Sequence, residues 1–242
     1  MKIMTFNIQH ALDYINQKID VDLFIEKIKY YGADVCGINE VRGEGPLDGY
    51  TDQTNAIADG LGFNRYFGEA IKVDGTSPYG NALVSSYPIK SCETILIPEP
   101  SKEYKFDKNG ELVYYERRCI IKSVIDCNGK DLCVLVTHMG LSDIERKNAV
   151  SSLCEIIDKI NIPLVLMGDF NTTPNDAVLA PLYDRLTDAN VKSVNSSVPT
   201  YPSDSPEIKI DYIFYKDINC VSSHTVEEVI SDHYPIIADF EY

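Results

Sequence analysis

The sequence predicts an α/β fold, a four-layer sandwich in which two mixed, mostly antiparallel β-sheets pack face to face with helices outside. Segments with helical spacing of apolar residues alternate with short strand-like runs, and hairpin signals occupy the middle of the chain. Each sheet has an apolar face that must be covered, so this mixture of elements favours layered packing. No linker interrupts the pattern, and we expect residues 1–242 to form a single domain.

The first third of the chain alternates strands with helices. Apolar residues recur at helical spacing from Val21 to Ile28, and the flanking Asp20 and Gly32 are suited to begin and end a helix. The other elements predicted here are a strand at residues 5–8, a strand at 34–40, a helix at 54–61 and strands near Tyr66 and at 81–85.

The middle of the chain is antiparallel in character. Asn-Gly pairs favour the tight turns of hairpins, and two of them, Asn109-Gly110 and Asn128-Gly129, lie between β-type runs. The second pair joins strands predicted at residues 119–126 and 131–137. We therefore expect two hairpins in this region.

The last part of the chain returns to a helix followed by strands. Ser142 and Glu145 have the spacing of a capping box ahead of a long amphipathic helix. Apolar runs then predict strands at residues 163–167, 210–215 and 234–240, with a loop rich in Ser and Pro before the second of these strands.

The charge balance limits the class of partner. Acidic residues outnumber basic ones by 37 to 22, which gives a formal net charge of −15. Such a charge repels polyanions at long range and disfavours nucleic acid, although a local cluster such as Arg117-Arg118 leaves that partner open. We expect a phosphorylated small molecule as the substrate.

The cysteines and the hydropathy of the sequence indicate where in the cell the protein resides. The seven cysteines are scattered and lack zinc-site spacing, which is typical of buried thiols in a reducing environment. No apolar run approaches membrane-spanning length. We expect a cytoplasmic monomer with no stable membrane association.

Polar groups that follow or interrupt apolar strands are the candidates for a functional site. Strand ends at one sheet edge converge, so distant residues can form one pocket, and hard oxygen ligands of this kind suit magnesium or manganese. The set comprises Asn7, Glu40, His138, Asp169, Asn171, Asp211, Asp232 and His233.

Each of these residues also has a purely structural interpretation. Asp169 and Asn171 fit a turn after a strand, Glu40 fits a solvated strand end, and His138 fits a hydrogen-bonded edge residue. Taken one at a time, the structural interpretation is favoured for all four.

The ordered set of motifs is more specific than any single residue. It resembles the signature of the endonuclease/exonuclease/phosphatase superfamily, the DNase I-like metal-dependent phosphoesterases, over essentially the whole chain. The motifs are Thr5-Phe6-Asn7-Ile8, Asn39-Glu40-Val41, Tyr79-Gly80-Asn81-Ala82-Leu83-Val84-Ser85, Thr137-His138-Met139-Gly140, Gly168-Asp169-Phe170-Asn171, Ile210-Asp211-Tyr212-Ile213 and Ser231-Asp232-His233-Tyr234-Pro235. The resemblance implies a DNase I-like fold and a Mg²⁺ or Mn²⁺ cofactor.

The resemblance also implies which residues bind metal and substrate. Glu40 would be the main metal ligand, Asp232 a second oxygen ligand, and Asn7 a support on the metal and phosphate side. Arg118 is a further candidate for the substrate phosphate because guanidinium binds phosphate through two bonds, and a strand-edge role is equally open. Asn81 is expected to line the pocket, and a turn next to a strand is its alternative.

The implied catalytic residues form a second group. Asp211 would hydrogen-bond His233, fix its tautomer and raise its pKa. Asp169 and Asn171 would orient the attacking water and a nonbridging oxygen. His138 would donate to the phosphoryl oxygens as charge builds.

These inferences predict a metal-dependent phosphoesterase that acts on a small phosphodiester or phosphomonoester. One alternative is a nuclease that acts on DNA or RNA. The alternative of another class is a non-catalytic phosphate-binding module, and the sequence speaks against it because no signature position holds an inert residue.

Overall fold

The computed structural model describes residues 1–101, 104–106, 110, 112–194 and 198–242. Strands and helices alternate along this part of the chain as the sequence predicts. In chain order they are β1 (Lys2–Asn7), β2 (Leu12–Asp13), β3 (Lys18–Ile19), α1 (Val21–Tyr31), β4 (Val35–Arg42), α2 (Gln53–Leu61), β5 (Asn64–Val73), β6 (Ser77–Ser85), β7 (Ile89–Leu96), β8 (Tyr104–Phe106), β9 (Leu112–Tyr114), β10 (Cys119–Cys127), β11 (Lys130–His138), α3 (Asp143–Ile157), β12 (Leu164–Asp169), α4 (Ala180–Tyr183), β13 (Thr187–Asp188), β14 (Asp211–Lys216), β15 (Asn219–Thr225) and β16 (Ile236–Glu241).

Two six-stranded sheets form the centre of the fold. The first sheet has the order β15-β16-β1-β4-β6-β5, and the second has the order β13-β14-β12-β11-β10-β7. Strands β1 and β4 are parallel, as are β11 and β12, and the other pairs within these sheets are antiparallel. The predicted sandwich of two mixed sheets is confirmed.

The alternation of side chains along each strand builds the layers. In β12, Val165 and Met167 lie in the core between the two sheets, whereas Leu164 and Leu166 face the helical side with Leu153 of α3. Successive residues of a strand point to opposite faces, so this apolar strand is buried on both sides. Helices α1 and α2 cover the first sheet in the same way.

The helix boundaries follow the predicted signals. The Asp20 side chain accepts a hydrogen bond from the Leu23 backbone N–H, and Gly32 ends α1 in the left-handed conformation at φ 67°. Ser142 and Glu145 form the predicted capping box of α3. None of the helices in the described ranges is long and apolar enough to cross a membrane.

The two predicted hairpins have different outcomes. Asn128 and Gly129 turn between β10 and β11 with positive φ angles of 58° and 91°, so that hairpin is confirmed. Strands β8 and β9 pair antiparallel where the first hairpin was expected, and Asn109 of its turn lies outside the described residues.

The strand register brings the polar strand ends to one edge of the sandwich. Asn7 at the end of β1 lies opposite Asn39 in β4, so Glu40 follows beside it. In the second sheet, Asp169 at the end of β12 lies between His138 of β11 and Asp211 of β14. The fold thus gathers residues that are far apart in sequence.

Candidate active site

A pocket of about 300 Å³ opens at this edge, between the ends of the two sheets. Seven of the ten predicted site residues line it: Glu40, Arg118, His138, Asp169, Asn171, Asp232 and His233. Two others contact this group from behind, since Asn7 bonds to Glu40 and Asp211 bonds to His233. The tenth, Asn81, lies elsewhere.

Glu40 enters the pocket because strand β4 is irregular at this point. Its pairing with β6 shifts register between Ile38 and Val41, and Glu40 has a left-handed backbone with φ 61°. A bulge of this kind redirects a side chain. The Glu40 carboxylate accepts hydrogen bonds from Asn7 Nδ2 at 3.0 Å and from the Tyr79 hydroxyl at 2.9 Å.

Asn7 connects the two sheets across the pocket floor. Its Nδ2 donates to Glu40 at 3.0 Å and to Asp169 Oδ2 at 3.1 Å, while its Oδ1 accepts from the Gln9 backbone N–H at 3.1 Å. In this arrangement Asn7 supports the carboxylates through its amino group. Metal ligation through its oxygen would require the amide to turn over.

The donor set fits a hard divalent cation. Glu40, Asp169 and Asp232 all supply carboxylate oxygens to the pocket. Burial raises the pKa of Asp169 to about 7 and also raises the pKa of Asp232, since each carboxylate is poorly hydrated and lies near other acidic groups. A bound cation would offset this repulsion.

A second group of candidate metal ligands includes Asp211 and His233. Atoms of Asp169, Asp211 and His233 lie within 4.8 Å of one another and could also hold a metal. His233 Nδ1 and Asp211 Oδ2 already form a hydrogen bond of 2.9 Å. Metal binding there would break this bond, so we favour the Glu40 side as the metal position.

The Asp211 and His233 pair is buried and polarised. Burial alone lowers the pKa of His233, but the carboxylates of Asp211 and Asp169 outweigh it and raise the pKa to about 10. The Nε2 atom of the same ring lies 3.7 Å from Asp169 Oδ2. Tyr201 packs against the imidazole with ring centroids 4.8 Å apart, which helps to hold the ring in place.

His138 lies on the other side of Asp169 and has the opposite electrostatic character. Burial, followed by the charges of Arg118 and His233, holds the pKa of His138 well below its ordinary value of 6.5. Asn171 Nδ2 lies 3.1 Å from its Nε2, and Arg118 Nη1 lies 3.4 Å from its Nδ1. The site therefore combines a neutral imidazole with a protonated one.

Arg118 and Asn81 were both predicted to contact the substrate, but only Arg118 lines the pocket. Arg118 lines the pocket, and its guanidinium also pairs with Glu116 at 2.5 Å. Asn81 is buried, and its amide bonds to Asn39 and to the Cys119 backbone carbonyl. The expectation that Asn81 lines the pocket is corrected, because its strand directs the amide between the sheets.

Asn39 is a structural contributor that the sequence analysis missed. Its side chain is fully buried; Nδ2 donates to Asn81 Oδ1 and to the Thr137 carbonyl, and Oδ1 accepts from the Asp169 N–H, all at 2.9 Å. These bonds tie the first sheet to the second directly below the pocket. The sequence signal was its position beside Glu40, but a local pattern does not reveal a contact between sheets.

Lys209 was also missed and lies behind Asp211. This buried lysine pairs with Asp188 at 3.2 Å and donates to the Asp211 backbone carbonyl at 3.0 Å. A charged residue directly before an apolar strand gave a weak signal, because most such residues are solvated.

Comparison with known proteins identifies the family. Residues 4–233 match the model of the Endonuclease/Exonuclease/phosphatase family, and the chain belongs to this family. Its members are generally hydrolases that act on phosphate esters, and they typically depend on a divalent metal. No curated protein matches the chain.

Solved structures share the fold at low sequence identity. An endonuclease/exonuclease/phosphatase from Beutenbergia cavernae DSM 12333 superimposes with a TM-score of 0.80 at 23% identity, covering 100% of this chain and 71% of that one. A mannosyl-6-phosphatase from Bacteroides thetaiotaomicron VPI-5482 gives 0.76 at 16% identity, with full coverage of both chains. The human Nocturnin catalytic domain with bound sulfate gives 0.71 at 20% identity, covering 100% and 94%.

Proposed function

We propose that this protein hydrolyses small phosphate esters, as a phosphodiesterase or phosphatase that uses Mg²⁺ or Mn²⁺. The observation that carries the proposal is the convergence of Glu40, Asp169 and the Asp211–His233 pair in one pocket of a family that hydrolyses phosphate esters. In-line hydrolysis requires an oriented water, a group that accepts its proton, and positive charge for the phosphoryl oxygens.

The metal side of the site is assigned to Glu40 and Asp232, with Asn7 in support. Glu40 is held by Asn7 and Tyr79, and Asp232 accepts from the Ser231 hydroxyl at 3.0 Å. When bound, the cation supplies positive charge to the phosphoryl group. Glu40 and Asp232 keep their oxygens in a half-buried pocket where that charge is weakly screened, and Asn7 supports Glu40 through its amino group.

His233 and Asp169 are placed to act on the water and the phosphoryl group. Asp211 accepts from His233 Nδ1, which leaves the protonated Nε2 free to donate to a phosphoryl oxygen. Asp169 lies 3.7 Å from that Nε2 and has a pKa raised to about 7, so its carboxylate suits the orientation and deprotonation of an attacking water.

His138, Asn171 and Arg118 supply the remaining donors. Asn171 has a left-handed backbone with φ 50°, and its side chain reaches both His138 and the Met139 carbonyl. Arg118 adds guanidinium N–H donors beside them. These groups would stabilise the charge that builds on the phosphoryl oxygens in the transition state.

Hydrolysis of a substrate panel tests the proposal. Bis-p-nitrophenyl phosphate, p-nitrophenyl phosphate, a plasmid and a single-stranded oligonucleotide are incubated with Mg²⁺ or Mn²⁺, and again with EDTA. We expect metal-dependent turnover of the small esters, and we expect the plasmid and the oligonucleotide to stay intact. Cleavage of the plasmid or oligonucleotide would identify a nuclease instead, and the absence of any turnover would indicate a phosphate-binding module.

A further inference from the structure

A second cavity, here called the side groove, opens next to the catalytic pocket. It has a volume of about 650 Å³ and lies between β5, the segment that connects β9 to β10, and the start of α3. Arg118 and Leu141 line both cavities, so the two adjoin. The pocket of about 300 Å³ suits a phosphoryl group, and the side groove provides the space for what is attached to it.

Two ion pairs lie in the side groove. Arg117 donates to both carboxylate oxygens of Glu99 at 3.2 and 3.1 Å, and Arg118 pairs with Glu116 at 2.5 Å. Carboxylates therefore neutralise these two guanidinium groups. With Lys72, the described lining holds three basic and three acidic side chains, so it has no net charge to attract a second phosphate, and this disfavours nucleotides and bisphosphates.

The same pairs suit uncharged hydroxyl groups. Each pair places N–H donors next to carboxylate acceptors, and a hydroxyl can both donate and accept. Tyr114 and Leu141 add apolar surface at the rim, with 67% and 66% of their surfaces exposed. The Tyr114 ring could pack against the apolar face of a ligand ring, while the neighbouring ion pairs bond to hydroxyls at the edge of that ligand ring.

We propose that the side groove receives the leaving group of the phosphate ester, and that this group is an uncharged ring bearing hydroxyls. This inference rests on the proposed function and adds the substrate class to it. The bond that breaks joins the phosphorus to the leaving-group oxygen; water supplies the oxygen of the phosphate product, and the leaving group departs as an alcohol after gaining a proton.

Inhibition of bis-p-nitrophenyl phosphate hydrolysis by a panel of monoesters tests the inference. The panel comprises a hexose 6-phosphate, glycerol 3-phosphate with hydroxyls but no ring, phenyl phosphate with a ring but no hydroxyls, and a hexose 1,6-bisphosphate. We expect the hexose 6-phosphate to inhibit at least about tenfold more tightly than the other three, since unmatched polar groups and like charges both cost affinity.

Two variants of the side groove sharpen the test. Tyr114→Ala should weaken inhibition by the hexose 6-phosphate by about tenfold and leave inhibition by inorganic phosphate unchanged. Glu99→Gln should strengthen inhibition by the bisphosphate because it removes a negative charge. Tyr30→Ala is the matched control, because Tyr30 is 79% exposed on α1, outside both cavities.

The outcomes separate this inference from the proposed function. Equal inhibition by all monoesters, or tightest binding of the bisphosphate, would overturn the assignment of the side groove while the proposed function stands. A failure to hydrolyse bis-p-nitrophenyl phosphate with Mg²⁺ or Mn²⁺ would overturn the proposed function and, with it, the leaving-group assignment.

Discussion

Asn39→Ala should destabilise the protein strongly, because one buried amide joins the two sheets below the pocket. The substitution leaves the Asp169 N–H, the Thr137 carbonyl and Asn81 Oδ1 without this partner. A buried polar group left unpaired costs about 1–3 kcal/mol, so three such groups at the low end give a loss of about 3 kcal/mol. This is a large share of the about 5–15 kcal/mol by which folded domains are stable.

Urea unfolding of the metal-free protein measures this loss directly. Asn64→Ala is the matched control, since the exposed Asn64 amide bonds to the Ser85 and Tyr87 carbonyls at 3.3 and 3.0 Å and its loss should cost less than about 1 kcal/mol. Asn39→Asp keeps the oxygen that accepts from the Asp169 N–H but loses the amino group that donates to Asn81 and Thr137. We expect it to lower the free energy of unfolding by more than Asn64→Ala does. A loss below about 1 kcal/mol for Asn39→Ala, with an unchanged urea dependence, would refute the argument.

Three further predictions follow from the site. Gly168→Ala should prevent folding or lower the free energy of unfolding in urea by more than about 4 kcal/mol, because a Cβ would lie 1.8 Å from the Thr137 carbonyl oxygen. The control is Gly75→Ala, which should cost only about 1 kcal/mol, because Gly75 has φ 68° and open space around its Cα. Glu40→Gln should weaken Mg²⁺ binding in calorimetry by at least about tenfold, and an unchanged dissociation constant would remove Glu40 from the metal site. In EDTA, the pKa of His233 is about 10 in the folded protein and about 6.5 in the unfolded chain, so the folded protein holds this proton more tightly. The proton therefore adds to the free energy of unfolding in full below pH 6.5, and this stabilisation is lost as the pH rises towards about 10. Asp211→Asn should flatten the fall of Tm across that interval, and the same slope in both proteins would contradict the assigned ion pair.

The elements with strong local signals were predictable from the sequence. The capped helices α1 and α3 and the doubly buried strand β12 follow from apolar spacing and capping residues. Strands β7 and β15 were not predicted. Both are edge strands that carry polar residues, and β7 has no buried position, so the apolar pattern of each is weak.

The candidate site was predictable to the extent that it consists of strand ends. Glu40, His138, Asp169 and Asp211 all lie at the termini of apolar runs, where a local pattern can identify them. The bonds of Asn39 join strands of different sheets, and their formation depends on how the sheets are stacked. No spacing within one segment encodes that arrangement, so this support is visible only in the folded protein.

The most direct test of the proposed chemistry is the turnover of bis-p-nitrophenyl phosphate by His233→Ala at saturating Mg²⁺. His224→Ala is the matched control, because His224 is a half-buried histidine of β15 that does not line the pocket. We predict that His233→Ala lowers kcat by about 10²–10⁴-fold and that His224→Ala leaves it unchanged. A kcat of His233→Ala within about threefold of the unmodified protein would contradict the assignment of His233 to the phosphoryl group.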